Sequence, residues 1–125
     1  MDLKAYALVA LGGAIGAMLR FATTHLVGVA GLFPWATFGI NIAGALAIGL
    51  VWGIWQEADW FIAWGRLLLV VGLLGGFTTF SAFSIEALML LQQDRLLLAV
   101  AYVGSSVLVC IGLAWLGFKL GQQLV

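Results

Sequence analysis

The sequence predicts an all-α integral membrane protein of four transmembrane helices, and three observations carry that expectation. Of its 125 residues, 65% are hydrophobic and 8% are charged, against about 45–50% and about 25% in ordinary globular domains. Its mean hydropathy is +1.20. Its charges are spaced so that Ala5–Leu19, Phe21–Gln56, Leu67–Ile85 and Leu96–Phe118 are free of them, the pattern of spans separated by short polar connections. A bilayer core of ~30 Å takes about 20 helical residues. Four spans therefore use most of the chain as one domain, residues 1–125, with no room for a separate soluble catalytic domain.

The first helix is expected over about Lys4–Val27. Its uncharged stretch also has the look of a signal peptide, but removing it would leave a remainder just as hydrophobic. The 36-residue stretch from Phe21 to Gln56 is too long for one span, and Gly28, Gly31 and Pro34 mark its turn. The second helix then runs from Trp35 to Trp55, the third from Phe61 to Leu91 and the fourth from Arg95 to Leu120. Trp35, Trp52, Trp55, Trp60, Trp64 and Trp115 fall near the ends, where amphipathic rings sit at headgroup level. Gly12 and Gly16, Gly49 and Gly53, Gly72 and Gly76, and Gly117 and Gly121 place one Gly-x-x-x-Gly pair in each helix. Such pairs let backbones approach closely where no hydrophobic force drives helices together.

Five basic and five acidic residues cancel, which excludes a nucleic-acid-binding patch and a polybasic lipid-binding tail. Cys110 is the lone cysteine and forms no intrachain disulfide. His25 has no partner at a metal-ligand or nucleophile spacing, and no phosphate-binding Gly-Lys-Ser/Thr loop occurs, so neither catalysis nor nucleotide-driven pumping is supported. With four spans both termini share a side, carrying Lys4, Arg66 and Lys119 against Arg95 and Arg20 on the other. So weak a bias permits insertion in both directions.

Polar groups inside spans are costly and mark candidate sites. The richest run is Gly75-Gly76-Phe77-Thr78-Thr79-Phe80-Ser81-Ala82-Phe83-Ser84. Two glycines followed by hydroxyls at mid-span suggest a third helix broken near its middle, exposing backbone groups of the kind that hold ions. The plainer alternative is a kinked helix whose hydroxyls bond back to their own carbonyls. Phe80 and Phe83 share a helix face. Their rings either present positive edges to a small anion or serve as packing and lipid-facing residues. Asn41, with Thr37 one turn before it, offers uncharged donors to an anion or makes an interhelical hydrogen bond. Arg20 either snorkels to the interface or gives an anion vestibule its positive potential. Tyr102, Ser106 and Cys110 recur every four residues and share one face, lining a pathway or gluing helices. For Glu86, three readings stay open: a pore residue, an interface acid, or a partner of Arg20.

Three motifs resemble the Fluc (CrcB) fluoride channel family: Gly12-Gly13-Ala14-Ile15-Gly16-Ala17-Met18-Leu19-Arg20, Thr37-Phe38-Gly39-Ile40-Asn41-Ile42-Ala43-Gly44, and the Gly75–Ser84 run. The resemblance implies a dual-topology antiparallel homodimer in the bacterial inner membrane, surrounded by lipid, that passively exports fluoride from the cytoplasm. It further implies two fluoride pathways and one structural sodium ion between the subunits. Phe80 and Phe83 look like the pore phenylalanines. Arg20 and Asn41 look like vestibule residues, and Thr37, one turn before Asn41, is placed with them in the fluoride pathway. Thr79, Ser81, Tyr102 and Ser106 are similar to the hydroxyl track past the rings, and Gly75 and Thr78 to the positions whose carbonyls hold sodium. Ala82 departs from the threonine usual there. The competing class is a small multidrug-type proton-coupled transporter, which needs a titratable acid in its first helix. That helix has none after Asp2.

Overall fold

Asp2 starts the first helix by accepting the Lys4 N–H on its side chain at 3.0 Å, satisfying one of the donors a helix N-terminus leaves free. The helix, α1 (Leu3–Val27), ends where Gly28 takes φ +64° and returns its N–H to the Thr24 carbonyl, a conformation that glycine adopts without steric cost. In the computed structural model, which describes residues 2–125, three further spans follow: α2 (Trp35–Trp55), α3 (Phe61–Gln92) and α4 (Leu96–Gln122). Pro34 precedes α2. Asp94, in the left-handed region at φ +57°, turns the chain from α3 into α4. The boundaries agree with those expected from the charge spacing to within two residues.

The third span is not a uniform α-helix. From Phe61 to Gly65 and from Leu67 to Leu74 it is wound more widely, with hydrogen bonds spanning five residues. The Arg66 N–H reaches the Phe61 carbonyl and the Gly75 N–H that of Val70. Such winding is rare and is concentrated at functional sites. The span bends by 37°, and Thr78 (φ −78°, ψ 158°) and Thr79 (φ −147°, ψ 122°) are extended between its N-terminal arm and its C-terminal arm, Phe80–Gln92.

Packing divides the bundle into two close helix pairs, α1 with the N-terminal arm of α3, and α2 with α4. The glycine pairs lie at these contacts. A Cβ at Gly12 would sit 2.8 Å from the Leu73 nitrogen, one at Gly16 2.8 Å from the Phe77 nitrogen, and one at Gly49 2.9 Å from the Phe118 nitrogen. Backbone atoms cannot rotate away as a side chain can. By contrast, Gly112 has nothing within 4 Å of the same position. Gly49→Ala is therefore expected to destabilise the protein by about 2 kcal/mol or more, whereas Gly112→Ala stays within about 1 kcal/mol of the parent. Unfolding midpoints in detergent titrated with a denaturing surfactant check both.

The apolar core within the chain is small: Phe83, Leu90, Ala99 and Tyr102 cluster where the C-terminal arm of α3 meets α4. Most of the large apolar side chains, including Phe21, Leu97 and Leu108, point outward. An outward apolar face on helices that satisfy their own backbone groups suits a lipid surround.

Candidate functional site

Two consecutive extended residues at mid-span leave backbone groups without helical partners, and buried groups of that kind must be satisfied. Asn41, on the facing turn of α2, does this for Thr79. Its Oδ1 accepts the Thr79 N–H at 2.9 Å and its Nδ2 donates to the Thr79 carbonyl at 3.0 Å. The amide thus replaces both missing backbone partners at once. The Thr79 hydroxyl accepts the Ala82 N–H at 3.1 Å, capping the C-terminal arm, and lies 3.3 Å from the Ser81 hydroxyl. The Thr78 hydroxyl donates to the Leu74 carbonyl at 2.8 Å, while among the described residues no backbone N–H donates to the carbonyl of Thr78 itself.

This capped turn aims the two phenylalanines differently. Phe83 is buried at 8% exposure against Tyr102, ring centroids 5.1 Å apart, whereas Phe80 is 79% exposed. Their own rings are 5.4 Å apart and tilted by 43°. Both line an open recess of about 450 Å³, together with Asn41, Gly75, Thr78, Thr79 and Ser106. The Ser106 hydroxyl is buried and has no hydrogen-bond partner among the described residues.

A second recess, of about 370 Å³, brings Arg20, Thr24, Thr37, Thr79, Ala82 and Glu86 together, so Thr79 borders both. Glu86 does not pair with Arg20. Its Oε1 accepts the Thr37 hydroxyl at 2.7 Å and its Oε2 the hydroxyl of the fully buried Tyr102 at 2.8 Å. Two short hydroxyl donors on one carboxylate form the strong, charge-assisted class of hydrogen bond. Arg20 instead uses Nε to hold the Gly76 carbonyl at 3.0 Å, directing the guanidinium at the start of the bent segment.

The structure thus brings Asn41, Thr79, Phe80, Phe83 and Ser106 to one recess and Arg20, Thr37 and Thr79 to the other. Ser81 is exposed beside Thr79, and Tyr102 is enclosed behind Phe83. Sequence reasoning does not find the Thr37–Glu86–Tyr102 bridge as a unit, because its three members lie on three different helices. No group of three or more His, Cys, Asp or Glu side chains capable of holding a metal occurs among the described residues. The recesses thus present uncharged N–H, O–H and aromatic C–H groups, with the Arg20 guanidinium and the Glu86 carboxylate both on the second.

A family model described as "CrcB-like protein, Camphor Resistance (CrcB)" matches residues 7–118. The chain is 47% identical over 116 residues to the fluoride-specific ion channel FluC of Methylobacillus flagellatus, covering 90% of this chain and 91% of that one. It is 41% identical over 118 residues to the FluC of Flavobacterium psychrophilum, covering 93% and 95%. To a FluC of Thermus thermophilus it is 44% identical over 125 residues, covering 98% and 99%.

Proposed function

The chain belongs to the CrcB family, and on that premise we propose that it is a fluoride-specific ion channel, a multi-pass protein of the bacterial inner membrane and not an enzyme. The observation that carries this reading is identity above 40% along nearly the whole chain to relatives named for that function. A proton-coupled transporter is not favoured, since α1 has no acid beyond the Asp2 cap.

Fluoride is small and strongly hydrated, so its pathway has to replace water with donors that are several and individually weak, letting the ion enter and leave. Arg20 raises the local positive potential beside the second recess. The second N–H of the Asn41 amide, the hydroxyls of Ser81 and Ser106, and the edges of Phe80 and Phe83 are donors of the required kind, while Tyr102, its one hydroxyl proton given to Glu86, backs the route behind Phe83. Thr37 and Thr79 border the second recess, Thr37 giving its hydroxyl proton to Glu86. The bend at Thr78–Thr79 serves as a helix break that brings backbone and ring edges to the same point.

The assembly proposed is a homodimer of two oppositely oriented copies. It is supported by the near absence of charge bias and by Phe80, whose ring is 79% exposed on the single chain. A structural sodium ion fits the free Thr78 carbonyl and the nearby Gly75 position, both bordering the open recess. Carbonyl oxygens suit a hard cation, and two copies supply twice the number that one does.

Purified protein in liposomes loaded with fluoride is expected to release it when the membrane potential is clamped by a potassium ionophore, and to retain chloride. A fluoride-selective electrode reads the first and a chloride electrode the second. Equal rates for the two anions, or release that requires a proton gradient, would refute the channel reading. Reporters at the C-terminus are expected on both sides of the membrane, and copies on one side alone would refute the opposed dimer. Removing sodium through an unfolding and reassembly cycle is expected to abolish the fluoride current.

A further inference from the structure

Cys110 has no part in the pathway described above, yet it faces the same recess. It lies one helical turn beyond Ser106, about 6 Å along α4, and both residues line the recess together with Phe80 and Phe83. The thiol is free and half-buried. Ser106 is 6% exposed, and its hydroxyl oxygen, in the same wall, has no hydrogen-bond partner. A soft sulfur in the wall of a recess with no competing charged group, one turn from a buried oxygen with no partner on the same helix face, makes a binding site for a thiophilic cation. The other walls are apolar side chains and neutral polar groups.

We propose that Cys110, with Ser106 beside it, is a site for thiophilic metal cations, and that its occupation blocks the ion pathway. The inference rests on the fluoride-channel reading for its second half. The bond-forming step with the methylmercury cation is a simple exchange. Mercury bonds to Sγ, the S–H bond breaks, the proton leaves to water and no electrons are transferred. The thiolate is the ligand that soft metals prefer. The added group is apolar and takes up part of the recess that Cys110 shares with Ser106 and the two rings, narrowing the route and adding no donor to replace what it covers.

The test uses the full-length protein in liposomes, with methylmercury chloride as the probe. Intact mass is expected to show one mercury adduct per chain, and fluoride efflux to fall by about tenfold or more as donors along the pathway are covered. A small thiol added afterwards is expected to strip the metal and restore efflux, which separates block from denaturation. Cys110→Ser is expected to take up no mercury and to give the same efflux before and after treatment. Absence of an adduct on the parent overturns the site. A complete adduct with unaltered efflux overturns the block, as does equal inhibition of Cys110→Ser. Efflux absent before any treatment overturns the fluoride reading itself, so the two failures are distinguishable.

Discussion

Phe80→Ile and Phe83→Ile are each expected to lower fluoride efflux by about tenfold or more, the factor that corresponds to ~1.4 kcal/mol of lost stabilisation along the route. Isoleucine keeps an apolar side chain of broadly similar bulk but has no quadrupole, so the positive ring edge disappears. The two substitutions differ in what else they disturb. Phe83 is buried against Tyr102, and its replacement also costs packing within the chain, by about 1 kcal/mol for a volume-conserving swap. Phe80 is 79% exposed, so Phe80→Ile leaves the fold of the single chain undisturbed. Its effect on efflux is the cleaner measure of the ring. Ala82→Thr belongs in the same series. It adds a hydroxyl to the second recess beside Arg20 and Glu86, and the rate is expected to hold or rise. Efflux from liposomes, with elution volume as the check on assembly, decides. Parent-level efflux in both isoleucine variants would leave the rings as packing residues.

Span number, span boundaries and the location of the polar run are legible in the sequence because each depends on composition along a single helix. Charges mark the ends of spans, and the hydroxyl-rich Gly75–Ser84 segment stands out within an apolar sequence. What depends on pairing across helices is only partly legible. Asn41 is readable as an uncharged donor, but its use of both ends of the amide on the Thr79 backbone follows from two residues becoming extended on another helix. Glu86 stays open between three readings because its partners, Thr37 and Tyr102, lie 49 positions before it and 16 after it, with no periodicity linking them. The wide winding of the N-terminal arm of α3 is not legible either. A five-residue hydrogen-bond step is rare, and here it accompanies the close approach of Gly72 and Gly76 to α1.

Asn41→Leu is expected to cost both stability and conduction, and it tests the reading of the Thr79 turn most severely. Leucine matches the bulk of asparagine but neither accepts from the Thr79 N–H nor donates to its carbonyl. Thr79 is buried at 9% exposure, and each backbone group left without a partner away from water costs about 1–3 kcal/mol. Two such losses, about 2–6 kcal/mol together, are a large fraction of the stability of any small protein. The turn has an alternative: Thr78 and Thr79 can rewind toward helix and recover bonds along their own chain. That rearrangement would swing Phe80 and Phe83 away from the recess they share, so efflux is expected to fall below detection even in protein that remains assembled. Asn41→Asp separates the two contributions, because a carboxylate still accepts the Thr79 N–H while losing the donor to the carbonyl and adding a negative charge. It is expected to retain more stability than Asn41→Leu and yet to conduct poorly, since an anion approaching the rings meets like charge. Unfolding midpoints and efflux measured on the same preparations distinguish these outcomes. An Asn41→Leu protein as stable and as conductive as the parent would show that the clamp on Thr79 neither holds the turn nor serves the pathway.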